Sequence, residues 1–399
     1  MRKLMFILCL IMLPAVMSGR DTLATGPVTH LVGINFRQAL VFQSWDFLKG
    51  TNAAAKPVSS STSAHLQYAF RFSSDSRLGM LYPSAYQGIG ISSYTFYNHK
   101  EVGSPLAFYV FQGATIARLS ETLTLDYEWN FGVSFGWHPY DEVKNPLNTV
   151  VGSSVNACIN AGLQLSWIPL PSWKFSAGLD LTHFSNGHTS LPNAGINTAG
   201  LRIGASRIFN PQPKEVRPFE YAPSGKKLFS ERLACDLTLY GTLKSYALKY
   251  NEIGYFADGN FAVVGFSVNP LYEFSRFFMA GVALDVNYDE SANLSSHVAG
   301  VNGNGDIRFY RQPLKETLSA GLSLRAELVM PIFSINFGVG HNFLYSGDEL
   351  GGFYQSVTLK TFVTGKLYIN VGYQFRNFKD PDNLQLGLGW RLGSNPRRP

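Results

Sequence analysis

The sequence predicts an all-β protein, a transmembrane antiparallel β-barrel of about 12–16 strands. Only 15% of the residues are charged, whereas soluble domains carry about 25%. Aromatic residues make up 14% and glycines number 38. Hydrophobic and polar residues alternate with a period of two over segments that are longer than ordinary soluble strands. After the N-terminus, no segment has the ~18 uncharged apolar residues of a membrane helix.

The N-terminus predicts export. Arg2 and Lys3 precede an apolar run over residues 4–17, and small residues follow near Gly19. This is the arrangement of a cleaved signal peptide, here residues 1–19; an uncleaved anchor is the alternative. An exported, charge-poor chain without a later membrane helix is typical of a bacterial outer-membrane barrel. A secreted β-sandwich is the simpler alternative.

Charge and cysteine content argue against a nucleic-acid-binding protein and against a fold stabilised by a disulfide framework. The net charge of +6 falls when the signal peptide is removed, and part of the remainder lies in the tail at Arg397 and Arg398. We therefore expect no nucleic-acid partner, whereas an anionic lipid surface is compatible with this charge. Cys158 and Cys235 remain after the signal. One pair is no disulfide framework, and the strand phase puts the two thiols on opposite faces.

Residues 123–138, LTLDYEWNFGVSFGWH, form the best-phased predicted strand. One face carries the apolar odd-numbered residues, namely Leu123, Leu125, Tyr127, Trp129, Phe131, Val133, Phe135 and Trp137. The other face carries Asp126 and Glu128 among small and polar residues. Eight consecutive alternations match a strand and miss the helical period. The aromatic face suits lipid, and the carboxylates suit a wet lumen.

Fifteen other segments give a total of sixteen candidate strands. They lie around 31–48, 64–74, 87–98, 106–118, 151–169, 174–184, 199–209, 233–248, 260–272, 278–288, 317–329, 333–344, 355–364, 367–375 and 384–392. We expect an even number of them to close into one barrel within residues 20–399. The Pro-rich polar segment 210–232 is a loop or plug, or it divides two smaller barrels.

The stretch LDLTHFSNGHTSLPNAGIN, residues 179–197, places polar groups at the end of a strand. The odd-numbered face of this strand is apolar through Leu181, and it continues with His183 and Ser185. The phase of the next strand puts Asn197 on the same outward side. Polar side chains directed toward lipid are costly unless they are paired or lie near the headgroups. The face assignment therefore raises the question of what these groups do.

Histidine and serine two residues apart on one strand face are the minimum for an activated nucleophile. A third group normally orients the imidazole, and Asn186 with the backbone N–H groups near Gly187 could stabilise an oxyanion. The simpler interpretation is a polar strand exit at the membrane interface.

Two other patterns carry less weight. Ser134, within a Gly-x-Ser-x-Gly match, lies inside a predicted strand and faces the lumen. His188 lacks acidic or cysteine neighbours at metal-ligand spacing, so we expect no metal.

HFSNGHTSLPNAGIN resembles the signature of the outer-membrane lipid A 3-O-deacylase family, also called acyloxyacyl hydrolases. The family pattern is His-x-Ser-Asn, a short loop and Pro-Asn-x-Gly, which is matched by His183, Ser185, Asn186, Pro192, Asn193 and Gly195. The resemblance covers about residues 120–210. It implies a membrane barrel with a lipid-facing serine esterase site that acts on lipid A of lipopolysaccharide without a cofactor. It also implies that His183 is the base, Ser185 the nucleophile and Asn186 an oxyanion contributor, with Gly187, Asn193 and Gly195 in the same binding loop.

One position departs from the family pattern. Family members carry a glutamate two residues after the motif glycine, and here that position is Asn197. An amide can orient an imidazole, but it cannot stabilise the imidazolium by charge. Either another carboxylate reaches His183, or Asn197 suffices, or the site is weak or inactive. A non-enzymatic barrel, either a porin or a lipid-binding scaffold, is therefore the alternative function.

Overall fold

A computed structural model describes residues 28–211, 228–303, 306–378 and 380–397. The predicted signal peptide, residues 1–19, and most of the Pro-rich segment 210–232 lie outside the described residues. The fold is all-β and antiparallel, as predicted, and each of the sixteen predicted segments overlaps one barrel strand. The expectation of a single barrel is wrong, because these strands close into two barrels of eight.

The first barrel is an eight-stranded meander in which each strand pairs with the next. Its strands are β1 (Thr29–Val41), β2 (Ser60–Arg71), β3 (Tyr86–Thr95), β4 (Gly103–Arg118), β5 (Leu123–Trp137), β6 (Val155–Leu170), β7 (Trp173–Ser185) and β8 (Ile196–Phe209). β8 pairs back onto β1 and closes the barrel. Strands of 10–16 residues meet the length that a tilted membrane strand requires.

Period-two alternation sorts the side chains of the first barrel between lipid and lumen. On β7, Leu179 and Leu181 are 63% and 60% exposed on the outer wall, whereas Asp180 between them is buried. Predicted inward residues of β5 are also buried, and Glu128 Oε1 lies 2.9 Å from Arg202 Nη2. Buried charges persist only when they are paired. Paired charges therefore occupy the lumen where a porin would hold water.

The predicted face of Trp137 is wrong. Trp137 is 2% exposed, and its Nε1 donates to the buried Ser134 Oγ at 2.8 Å. The pairing register between β4 and β5 shifts opposite this point, between Gly103 and Leu106. Gly136 has a φ of 89°, a backbone state that glycine adopts without strain. This irregularity reverses the alternation, so the indole points inward.

Long loops pack together at one end of the first barrel. They connect β1 to β2, β3 to β4, β5 to β6 and β7 to β8, and the first contains the short helix α1 (Asp46–Lys49). Their apolar side chains form one buried cluster with residues of the strand ends, including Phe47, Trp137, Phe184 and Ile196. Long loops mark the extracellular end of outer-membrane barrels. At the other end, the β2–β3 connection contains helix α2 (Arg77–Leu81).

The second barrel has the same strand count. Its wall consists of β9 (Leu233–Lys244), β12 (Phe261–Ser275), β13 (Phe278–Asp289), β16 (Leu318–Val329), β17 (Phe333–Leu344), β18 (Phe353–Phe362), β19 (Leu367–Arg376) and β20 (Asp380–Gly393). β20 pairs with β9 and closes it. The loops add two hairpins, formed by β10 (Ala247–Tyr250), β11 (Ile253–Phe256), β14 (Val298–Val301) and β15 (Ile307–Phe309). Short 3₁₀ turns cover Phe229–Arg232, Leu294–His297 and Leu314–Glu316.

A network of paired charges fills the lumen of the second barrel. Arg391 Nη2 lies 2.7 Å from Asp236 Oδ2 and 2.6 Å from Glu327 Oε1. Lys360 Nζ contacts the same two carboxylates at 2.6 and 2.7 Å. All four side chains are nearly inaccessible to solvent. None of the helices in the described part of the chain has the length and hydropathy to cross a membrane.

Candidate active site

The end of β7 presents two polar side chains on the outer wall of the first barrel. His183 and Ser185 are partly exposed, whereas the alternate residues Thr182 and Phe184 are buried. The strand ends at Ser185 because the chain turns at Gly187, whose φ is 69°. Asn197, at the start of β8, pairs directly with His183 in the strand register. His183, Ser185 and Asn197 therefore share the outer face that the period-two phase predicts.

His183 and Asn197 form a direct hydrogen bond between neighbouring strands. Nδ1 of His183 lies 2.7 Å from Oδ1 of Asn197. A carboxamide oxygen only accepts, so Nδ1 carries the proton and donates it. Nε2 is then left as the basic nitrogen of the ring. In the described part of the chain, no carboxylate pairs with His183, so the amide alone orients the imidazole.

Asn193 places a side-chain donor on the serine. Its Nδ2 donates to Ser185 Oγ at 2.9 Å, and its Oδ1 accepts from the backbone N–H of Asn186 at 3.2 Å. The two contacts fix the orientation of the carboxamide. Asn186 itself is only 3% exposed, and its backbone N–H is the donor in the second of these contacts. Asn193 thus brings a side-chain N–H to the Ser185 hydroxyl.

Gly195 holds the loop against both polar groups. Its φ is 72°, which disfavours a side chain. A Cβ at this position would lie 2.8 Å from Phe184 O, 3.3 Å from His183 Cε1 and 3.7 Å from Ser185 Cβ. The imidazole and the serine therefore flank the same small space, and the absence of a side chain at residue 195 allows the loop to approach them.

Two residues that the sequence gave no reason to select support the loop from behind. Gly195 N–H donates to Val150 O at 3.0 Å. Asn148 Oδ1 in turn accepts from the backbone N–H groups of Val150 and Val151 at 3.2 and 3.1 Å. Asn148 is fully buried. A buried asparagine in a loop has no periodicity and no motif, so it leaves no signal in a single sequence.

The wall around these groups is apolar. Ile159 on β6, 41% exposed, pairs with His183, and Ala157 pairs with Ser185. Leu181 lies one exposed position along β7. Phe42, 48% exposed, donates its backbone N–H to Asn197 O at 2.9 Å. Hydrocarbon chains therefore have direct access to the polar groups.

The other candidate groups do not form a site. Ser134 is fully buried in the first barrel and donates to Asn156 O at 3.0 Å, as its inward phase predicts. Among the described residues, no group of three or more His, Cys, Asp and Glu side chains could hold a metal ion.

Two family models match the chain, one in each barrel. The family model described as lipid A 3-O-deacylase (PagL) matches residues 62–206. The model described as acyloxyacyl hydrolase, C-terminal domain, matches residues 233–395. The two matches cover most of the first and second barrels, respectively. No curated protein matches the sequence.

Several solved outer-membrane structures are similar to parts of the chain. Neisserial surface protein A is 9% identical, with a TM-score of 0.31, and the match covers 46% of this chain and 100% of that one. The outer-membrane enzyme PagL is 16% identical, with a TM-score of 0.28 and coverage of 43% and 97%. The N-terminal barrel of OprF from Pseudomonas aeruginosa is 12% identical, with a TM-score of 0.26 and coverage of 45% and 97%.

The assignment rests on the family models rather than on these distant structures. Their successive matches occupy both barrels, and the first includes the complete His-x-Ser-Asn and Pro-Asn-x-Gly pattern. The chain belongs to the lipid A 3-O-deacylase (PagL) family, a family of ester-hydrolysing enzymes of the bacterial outer membrane.

Proposed function

We propose that this protein removes an ester-linked acyl chain from lipid A, with Ser185 as nucleophile, His183 as general base and Asn197 as the residue that orients the imidazole. Asn193 is the oxyanion donor. The observation that carries the proposal is the pair of hydrogen bonds at the end of β7, from His183 to Asn197 and from Asn193 to Ser185. They support the proposal because one orients the imidazole and the other brings a side-chain donor to the Ser185 hydroxyl on the outer wall.

The first half of the reaction forms an acyl-enzyme. Ser185 Oγ attacks the ester carbonyl carbon while His183 Nε2 takes the hydroxyl proton. The carbonyl oxygen becomes an oxyanion and accepts a hydrogen bond from Asn193 Nδ2. The C–O bond to the sugar then breaks, and the imidazolium returns its proton to the leaving alkoxide. The products of this half are the deacylated sugar hydroxyl and an acyl group on Ser185.

The second half releases the fatty acid. Water from the extracellular rim attacks the acyl carbonyl, and His183 Nε2 takes one of its protons. The intermediate collapses, Ser185 Oγ leaves and recovers its proton, and the fatty acid departs. No oxidant, metal or cofactor is needed for either half.

The surroundings of the site favour a lipid as the substrate. Exposed apolar residues on the same wall, including Ile159 and Leu181, would contact acyl chains that already lie in the membrane. Binding from the lipid phase holds the ester at the level of Ser185, and positioning of this kind lowers the barrier.

The porin alternative has less support. In the first barrel, Arg202, Glu128 and Asp180 meet across the lumen. In the second barrel, the network around Arg391 and Glu327 occupies the lumen. Charged side chains thus occupy both lumens at these levels. Single-channel recording should therefore show no steady open conductance for the purified protein.

Mass spectrometry of lipid A tests the proposal. Cells that express the wild-type protein should contain lipid A that lacks one ester-linked acyl chain, and cells that express Ser185→Ala should retain it. Ser74→Ala is a matched control, because Ser74 is exposed in the connection at the opposite end of the first barrel. Identical acylation with wild type and Ser185→Ala, at equal outer-membrane levels, would refute the assignment of Ser185.

A further inference from the structure

An arginine and three aromatic rings lie together on the outer wall of the first barrel, at the end opposite to the serine. Arg207 on β8 pairs directly with Trp173 on β7 in the strand register. Phe175 lies on the same face of β7, and Trp167 on β6 pairs with Phe175. Trp167, Trp173 and Phe175 are 51%, 38% and 41% exposed, and Arg207 is exposed as well. These four residues, together with Ser172 in the β6–β7 turn, are here called the arginine patch.

The guanidinium of Arg207 is held in place, but no carboxylate neutralises it. Its Cζ lies 5.2 Å from the centre of the Trp173 ring, and its Nη1 donates to Ser172 Oγ at 3.0 Å. In the described part of the chain, no Asp or Glu side chain pairs with it. A guanidinium carries five N–H donors in a planar fork. Since the contact with Ser172 uses one of them, the others remain for a ligand from outside the protein.

The aromatic rings of the patch form one continuous surface. The rings of Trp173 and Phe175 are stacked, with their centres 6.1 Å apart and their planes at 9°. The ring of Trp167 lies 5.9 Å from that of Phe175. Phe175 and Trp167 lie on the side of Arg207 toward the middle of the membrane, because β7 enters the membrane from Trp173. A chain of methylene groups can therefore pack along the rings while its polar end reaches the guanidinium.

The patch lies at the depth of the lipid headgroups on the periplasmic side. β7 has 13 residues, from Trp173 to Ser185, and is therefore about 40 Å long. A strand tilted by about 40° then crosses roughly 30 Å of membrane, which is the thickness of the hydrocarbon core. Tryptophan concentrates at this level of outer-membrane barrels. A charge on the lipid-facing wall also costs far less here than at the midplane.

We propose that the arginine patch is a binding site for an anionic phospholipid of the periplasmic leaflet, with phosphatidylglycerol as the type of ligand. The Arg207 guanidinium donates to the phosphate oxygens, and Ser172, whose Oγ accepts from Arg207, donates its own hydroxyl proton to the same group. One acyl chain packs along Phe175 and Trp167. A cation without a carboxylate partner favours a headgroup with a net negative charge over phosphatidylethanolamine, whose ammonium group balances its phosphate. This inference does not depend on the esterase reaction.

Native mass spectrometry of the full-length protein in detergent micelles tests the site. Delipidated protein is titrated with palmitoyl-oleoyl phosphatidylglycerol and, in parallel, with the phosphatidylethanolamine that has the same acyl chains. The wild-type protein should bind the first phosphatidylglycerol with a Kd about three-fold lower or better, because only this headgroup has a net charge opposite to that of Arg207. Arg207→Gln should raise the Kd for phosphatidylglycerol about ten-fold, the effect of losing a hydrogen bond between charged groups. It should also abolish the preference between the two lipids.

Arg118→Gln is the matched control. Arg118 is exposed at the end of β4, at the same end of the barrel, so this variant removes an equal charge without disturbing the patch. It should keep the wild-type affinity and preference. Heat-modifiable migration in gels shows which variants are folded. Equal losses in folded Arg207→Gln and Arg118→Gln, or equal affinity of the wild-type protein for both lipids, would overturn the site.

Glycerol phosphate distinguishes a lipid from a free anion as the ligand. It has the phosphate of the headgroup but no acyl chains, so a ten-fold excess over phosphatidylglycerol should leave the bound lipid in place. Displacement of the lipid from the wild-type protein would identify the ligand as a free anion, and the phospholipid assignment would be wrong.

Discussion

The imidazole of His183 donates from Nδ1 to the carboxamide oxygen of Asn197 over 2.7 Å. The family pattern has a glutamate at residue 197, so the amide provides the orientation that the carboxylate would provide, but not its charge. The sequence alone is compatible with three arrangements at this position: a different carboxylate, a sufficient amide or a weak site. In the described residues, the amide is the partner of His183.

The charge of the orienting residue should limit turnover. In the proposed reaction His183 takes the proton from Ser185, and a carboxylate would stabilise the resulting imidazolium whereas an amide would not. We therefore expect Asn197→Glu to raise kcat on lipid A by at least ten-fold. Asn197→Ala should lower it by about ten-fold or more, because the ring loses its orienting hydrogen bond. Initial rates of fatty-acid release measure kcat for both variants.

A longer amide side chain at residue 197 distinguishes the effect of charge on kcat from the effect of side-chain length. Asn197→Gln has the reach of glutamate without its charge, so it should not reproduce the gain of Asn197→Glu. An equal gain in the two variants would show that side-chain length limits the enzyme, and the electrostatic explanation would be wrong.

Asn193 should act on the transition state rather than on substrate binding. Its Nδ2 donates to Ser185 Oγ, and in the proposed reaction it donates to the oxyanion. Loss of one such donor typically costs about 10²–10³ in kcat, and we expect this loss for Asn193→Ala with a KM close to wild type. Measurement of kcat and KM separately checks the assignment. A raised KM with an unchanged kcat would instead make Asn193 a binding residue.

A methyl group at residue 195 should disturb the site from the backbone. Gly195→Ala introduces a Cβ that would lie 2.8 Å from Phe184 O at a φ of 72°, so the loop must shift away from His183 and Ser185. We expect activity to fall by at least ten-fold while the protein still reaches the membrane. Gly254→Ala is the control, because no heavy atom lies within 4 Å of a Cβ at that position. Equal activity of the two variants would contradict the tight fit at Gly195.

The luminal charges of the second barrel should contribute to its stability. Glu327 contacts both Arg391 and Lys360. Glu327→Ala leaves these cations with only Asp236, and breaking a buried pair costs about 3–5 kcal/mol. The temperature at which the folded band converts in heat-modifiability gels should therefore drop. Glu252→Ala, in an exposed turn of the β10–β11 hairpin, should leave that temperature unchanged.

Alternation was sufficient to predict the strands but not how they close. Leu179, Asp180 and Leu181 lie on the predicted faces because the period of two is local. Closure depends instead on hydrogen bonds between β1 and β8, which are far apart in sequence and leave no mark on the period. The same locality explains the error at Trp137. A bulge near Gly136 shifts the phase by one, and glycines are too frequent in this chain to mark that position.

The candidate site likewise contains residues whose positions the sequence pattern could predict and residues whose positions it could not. The outward faces of His183 and Asn197 could be predicted from the period-two alternation, because each residue belongs to a regular strand. Asn193 lies in a loop, and its contact with Ser185 depends on a backbone path that no pattern predicts. Family resemblance included Asn193 in the motif and assigned the oxyanion role to Asn186, and the structure adds the hydrogen bond from Asn193 to Ser185.

Because His183 and Ser185 face outward, the substrate concentration that matters for the proposed reaction is the concentration in the membrane, not in water. A site that opens sideways draws its substrate from a two-dimensional phase, and dilution of the surrounding water leaves the local supply unaltered. In the proposed reaction, occupancy of the site follows the number of lipid molecules per unit area of the outer leaflet. The rate is therefore governed by the composition of the membrane around the barrel.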